Sequence, residues 1–94
     1  MCNIYLSGGM RNLPDNNASL FALHAKKLRA KGHEVFCPPE QNVVDVREAF
    51  RRDCEWLCSR ADRIAMLPGW EASRGARAEW ALANAIDLKI VYLR

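Results

Sequence analysis

The chain lacks most of the features that would send it out of a cell or onto a membrane. No apolar run approaches the length of a bilayer span, and the first residues read as a strand, so no signal peptide is expected. A dominant charge is missing too. Fourteen basic residues face eleven acidic ones, interspersed, for a net charge of +3, which gives nucleic-acid binding no strong support. A cysteine pattern is lacking: Cys2, Cys37, Cys54 and Cys58 have neither the close spacing of a zinc pair nor the pattern of a disulfide scaffold. Cys54 and Cys58 lie four apart on one helix face and would hold a metal only if other ligands arrived. Buried thiols of this kind behave as small hydrophobes, and a reducing cytoplasm is the expected setting. Repeats, linkers and low-complexity segments are absent. No metal or cofactor is expected.

What is present is 94 residues, half of them apolar, enough for one core in a single domain spanning 1–94. Asn3-Ile4-Tyr5-Leu6-Ser7 is a β-rich run stopped by Gly8-Gly9, and a loop over Met10–Asp15 follows. Asn16 or Asn17 can cap a helix that turns Leu20, Phe21, His24 and Leu28 inward and lysines and arginines outward, with Gly32 after its end. Glu34–Cys37 reads as a second strand, closed by Pro38-Pro39, and Glu40–Val44 as loop. Asp45 suits the cap of a helix reaching about Ser59. Arg63–Leu67 makes a third strand before Pro68-Gly69, a helix then runs to about Ala85, and Lys89–Leu93 ends the series.

Strands alternating with helices imply a parallel sheet with right-handed crossovers. The expectation is a small flavodoxin-like or Rossmann-like three-layer α/β fold of four strands (five at most) in the order 2-1-3-4. Such sheets take ligands beyond the strand C-termini where the strand order reverses. Here that point lies between the first and third strands, at the loops Ser7–Arg11 and Gly69–Ser73.

A neighbour test then sorts the acids. Glu48 and Glu55 each have Arg51 and Arg52 three or four residues away on one helix, the spacing of ordinary solvated pairs. Asp53 has Ala49, Phe50, Trp56 and Leu57 at those offsets, and Glu79 has Gly75, Ala76, Leu82 and Ala83. A carboxylate on an apolar stripe with no local cation is expensive to bury, so it needs a distant partner or a chemical role. Two such acids flank the third strand. A pair of carboxylates is what glycosidic bond cleavage requires. Gly8, Gly9 and Arg11 can cradle and clamp an anion at the strand exit. Ser73 is a helix cap that can also bind phosphate, and the small Gly75 lets a ligand approach the helix start. Tyr5, near the end of its strand, can reach the same place with its hydroxyl. His24 and His33 receive no role.

Ile4–Arg11, then Arg52-Asp53-Cys54-Glu55-Trp56-Leu57 with Ala61-Asp62, then Gly75-Ala76-Arg77-Ala78-Glu79 together resemble the nucleoside 2-deoxyribosyltransferase superfamily. The nearest branch is that of the 2′-deoxynucleoside 5′-phosphate N-hydrolases and their small unassigned phage and bacterial relatives. The resemblance implies Glu79 as nucleophile, Asp53 as the acid serving the leaving base, and Tyr5 as the residue orienting the nucleophile. It also implies Ser7, Gly8, Gly9, Arg11, Ser73 and Gly75 as substrate- and phosphate-binding residues. Ser73, six residues before Glu79, favours a 5′-phosphate. Gly9 stands where the hydrolases often carry a phosphate-binding serine. The implied partner is a small nucleotide or nucleoside, and relatives that complete their sites across a subunit boundary imply a homodimer or larger assembly.

Two other readings stay open. One is a non-catalytic protein that binds or sequesters a nucleotide in the same pocket. The other is an interaction domain using Trp70 and Trp80.

Overall fold

Seven elements alternate along the chain: strand β1 (Asn3–Ser7), helix α1 (Ala18–Ala30), β2 (Glu34–Phe36), α2 (Val46–Ser59), β3 (Arg63–Met66), α3 (Arg74–Ala85) and β4 (Lys89–Tyr92). They come from a computed structural model that describes residues 1–11 and 13–94. The loop expected over Met10–Asp15 includes Asn12, which lies outside the described residues. All four strands are parallel and stand in the order β2-β1-β3-β4, the arrangement expected of a small flavodoxin-like three-layer fold. Cys37, Leu67 and Leu93 fall one residue beyond the paired parts of β2, β3 and β4.

The period-two alternation of a strand divides the core into two layers. Ile4 and Leu6 of β1, with Ala65 and Leu67, pack on Phe21 and Ala25 of α1 and on Val35 and Cys37. Tyr5 of β1, with Ile64 and Met66 of β3, faces the other way onto Leu57 of α2 and Ala76 and Ala83 of α3. Of the residues expected inside α1, Phe21 and His24 are buried, while Leu20 and Leu28 are partly covered at the core margin.

The helix ends follow the capping residues in two cases of three. The Asp45 carboxylate accepts from the Glu48 amide at 3.3 Å, and the Ser73 hydroxyl oxygen accepts from the Ala76 amide at 3.2 Å. Asn17 precedes α1 but makes no side-chain cap bond. Its backbone is left-handed (φ 62°), and its side-chain amide donates instead to the Gly9 carbonyl at 3.1 Å. It ends a 3-10 turn, Pro14–Asn17, in which Asp15 and Asn16 are also left-handed. Short polar side chains tolerate that region better than other non-glycine residues. A second such turn, Pro38–Gln41, takes up the start of the stretch read as loop.

One close approach fixes the strand exits over the switch point. A side chain on Gly8 would lie 2.9 Å from both Cβ and Cδ1 of Leu67, so only glycine lets β1 leave the sheet against β3 there.

Candidate active site

Helix α3 buries residues at i, i+3 and i+7: Ala76, Glu79 and Ala83. The same geometry that buries two alanines therefore carries the Glu79 carboxylate into the core, where the residue is 6% exposed. Two hydroxyls from β1 meet it. The Tyr5 hydroxyl donates to Oε2 at 2.8 Å, and the Ser7 hydroxyl donates to Oε1 at 2.6 Å. Tyr5 and Ser7 are both fully buried and sit two apart on one strand, hence on one face.

Burial is the largest influence on the Glu79 proton and raises its pKa from 4.5 to about 7. The bonds from Ser7 and Tyr5 oppose that rise, and the negative charge of Asp53 adds to it. Asp53, half-buried on α2, is likewise pushed up by burial to about 6, with the nearby Tyr5 hydroxyl pulling the other way. Tyr5 has a single proton to give, and its 2.8 Å bond commits that proton to Glu79. Asp53 therefore receives it only when the hydroxyl turns. The Tyr5 hydroxyl itself is held well above its usual range, first by burial, then by the charges of Glu79 and Asp53. It stays a donor at all physiological pH.

Among the described residues neither Glu79 nor Asp53 enters an ion pair. Glu48 bonds Arg51 and Arg52, and Glu55 bonds Arg51, as the helical spacing predicts. Cys54, beside Asp53 on α2, has its thiol raised to about 11 by burial and by the charges of Glu79 and Asp53. It is a neutral wall of the site rather than a rival nucleophile. Among the described residues no third ligand joins Cys54 and Cys58 in a metal cluster.

The loops bring further expected residues together. A side chain placed on buried Gly9 would come within 3.6 Å of the Ser73 Cβ, so the β1 exit and the start of α3 lie close together. The Ser73 oxygen accepts the capping bond, which leaves its own proton to donate. Gly75 is exposed, and a side chain placed there would come within 4.0 Å of Ser73 Oγ. Arg11 is exposed, and among the described residues neither it nor Gly75 hydrogen-bonds the carboxylates. Ser7, grouped by sequence with the phosphate-binding residues, has its hydroxyl directed inward to Glu79.

Two cavities approach this region. A small one of about 60 Å³ reaches Asp53 and is lined also by Met10, Pro38, Gln41, Val43, Ala49 and Arg52. An open groove of about 410 Å³ runs along α2 beside β2, with Phe36 and Trp56 among its walls, and shares Gln41 and Arg52 with the first. Glu79 lines neither.

Sequence reasoning left out the aromatic wall that fixes Tyr5. Its ring stacks on Phe36 with centroids 5.2 Å apart and planes 12° apart, and Trp56 packs against both. Thus the hydroxyl can rotate but the ring cannot drift. The other two tryptophans, offered as exposed interface residues, are half-buried. They stack on each other at 5.9 Å, and the Trp80 indole N–H donates to the Tyr92 hydroxyl at 2.9 Å.

Fold and site together define a small flavodoxin-like α/β protein with a buried carboxylate at its switch point, a second raised carboxylate beside it, and a tyrosine hydroxyl near both. By sequence the chain belongs to the family described as "Domain of unknown function (DUF4406)", whose model matches residues 2–92. No curated protein matches it.

Proposed function

We propose that this protein cleaves the N-glycosidic bond of a 2′-deoxynucleoside 5′-monophosphate, by hydrolysis or by transfer of the deoxyribosyl group, and that its family is a branch of the nucleoside 2-deoxyribosyltransferase superfamily. The observation that carries the reading is the pair Glu79 and Asp53, two acids without an ion pair whose proton affinities are both raised and which have the Tyr5 hydroxyl near both.

In this reading a Glu79 oxygen attacks C1′ on the face opposite the base. The C1′–N bond breaks, its electron pair leaves with the base, and the Asp53 carboxyl protonates that base. Asp53, now a carboxylate, takes a proton from water as the water oxygen attacks C1′ and releases Glu79. Arg11, Ser73 and the Gly8-Gly9 amides hold the phosphate, so that binding energy remote from the reaction positions C1′. The working state needs Glu79 ionised while Asp53 is protonated. Interacting acids with values near 7 and 6 share one proton in that interval, so turnover passes through a maximum between about pH 6 and pH 7. Assembly as a homodimer or larger oligomer belongs to the same proposal.

A panel of deoxynucleosides and their 5′-monophosphates, with free base followed by chromatography and binding by calorimetry, tests it. Base release from a monophosphate supports the reading. Binding without release supports the second one, a protein that sequesters nucleotide. The burial of Glu79 favours that alternative, because it is 6% exposed and lines neither cavity, so a ligand held outside would not meet its carboxylate. Neither release nor binding overturns both.

A further inference from the structure

The two hydroxyls on Glu79 are not equivalent. Ser7 Oγ lies 2.6 Å from Oε1, its residue is fully buried, and Glu79 is the carboxylate it serves. Tyr5 lies 2.8 Å from Oε2, and its hydroxyl is also near Asp53. The tyrosine ring stacks on Phe36, with Trp56 packed against both, and is fully buried, so swinging the O–H about the C–O bond is the motion left to it. The serine is anchored in β1 at the point paired with Met66 of β3.

We propose that Ser7 is a dedicated positioning residue that holds Oε1 throughout the reaction, whereas Tyr5 divides its hydroxyl between Glu79 Oε2 and Asp53. This rests on the function proposed above and gives the two carboxylate oxygens separate roles. Oε2 is the attacking atom. As its bond to C1′ forms, it becomes the ester oxygen and a poor acceptor, and Oε1 becomes the ester carbonyl, which still accepts from Ser7. Asp53 has at that moment given its proton to the base and become a carboxylate. The Tyr5 hydroxyl, released by Oε2, turns to it. When water attacks C1′ and Asp53 takes the water's proton, Oε2 regains its charge and the hydroxyl returns.

The titratable groups facing Glu79 are Tyr5 from β1 and Asp53 and Cys54 from α2, while β3 contributes Ile64 and Met66 to that side. A titration of the ligand-free protein therefore separates the two hydroxyls. Carboxyl-labelled Glu and Asp are followed by carbon NMR, with Glu79→Gln and Asp53→Asn to assign the two signals. Removing a donor that favours the charged form raises a carboxyl's pKa. Ser7→Ala raises the Glu79 midpoint and leaves that of Asp53 nearly in place; Tyr5→Phe raises both. Ser7→Thr, which keeps a hydroxyl, restores the Glu79 midpoint, and Ser7→Cys, close in size but a weak donor, does not. In turnover Ser7→Ala lowers kcat about tenfold or more with KM little changed, as loss of a net hydrogen bond to a charged group requires. The alkaline limb of its pH profile, which the higher of the two values sets, climbs with the NMR midpoint.

A Glu79 midpoint unmoved in Ser7→Ala, or Tyr5→Phe acting on Glu79 alone, overturns the division of roles. A fall in kcat with an unmoved alkaline limb reduces Ser7 to packing and overturns it as well. Wild-type protein that releases no base removes the reaction and the assignment of Oε2, whereas the titration still decides whether Ser7 holds the carboxyl.

Discussion

Strand β1 presents two faces built to opposite rules. Toward α1 it offers Ile4 and Leu6, which pack into a layer of aliphatic and aromatic side chains with Phe21, Val35 and Leu67. Toward α2 and α3 it offers Tyr5 and Ser7, which bury two hydroxyls against a carboxylate. The first face stabilises the fold. The second costs stability at neutral pH, because an acid with a raised pKa opposes folding whenever it must ionise. Among the described residues no cation pairs with Glu79, so this small domain buries an acid that a purely structural core would replace with leucine.

The largest effect that would break this contrast is chemical. Glu79→Ala should reduce base release from a deoxynucleoside monophosphate by about 10⁴-fold, roughly 5 kcal/mol of barrier, while binding measured by calorimetry changes little. Undiminished release would remove the nucleophile assignment. On the opposite face, Leu6→Ala should cost about 2–5 kcal/mol in urea denaturation through the cavity it leaves. Its Glu79 titration should stay as in wild type; if it moves, the two layers are coupled and the contrast is false.

The next effect is pH-dependent stability. In the fold Glu79 keeps its proton up to about 7, whereas unfolded it releases it near 4.5. The native state thus binds more protons across that window. The stabilisation is fully present below about 4.5 and is lost as pH rises through 7, about 3–4 kcal/mol in all. Denaturation at pH 5 and pH 8 should show the loss in wild type, and Glu79→Gln should flatten most of it. Asp53→Asn should lower base release about 10²-fold by removing the proton donor, least for substrates whose leaving base needs no proton. The smallest effect lies away from both faces. Asp87, left-handed at φ 59° after α3, should gain about 0.5–1 kcal/mol when replaced by glycine, read as a shift in thermal midpoint with activity unaltered.

The architecture was legible because punctuation marks it. Gly8-Gly9, Gly32, Pro38-Pro39 and Pro68-Gly69 bound the elements, and their alternation leads directly to parallel pairing in the order 2-1-3-4. The two unusual acids were legible because local arithmetic reveals them: a carboxylate whose helical neighbours are all apolar stands out against Glu48 and Glu55. Tyr5 was expected near Glu79 from its place at the strand end and from the resemblance, but the bond from Ser7 was not, since Ser7 lies 72 residues away in sequence. Helical spacing reports on one element at a time. The available signal was the strand's own period, which puts two hydroxyls on one face of β1. The left-handed run Asp15–Asn17 was hidden for a related reason: those residues promise a cap, and only the backbone reveals that Asn17 bonds Gly9 instead.

The proposed glycosyl chemistry requires Glu79 to form a covalent bond to the sugar. Mixing the protein with a 2′-deoxynucleoside 5′-monophosphate, quenching in acid within a turnover and digesting for mass spectrometry tests that directly. A deoxyribosyl 5-phosphate adduct on the peptide bearing Glu79, absent from Glu79→Gln, is the outcome expected. Free base released with no adduct, or an adduct on another residue, would contradict it.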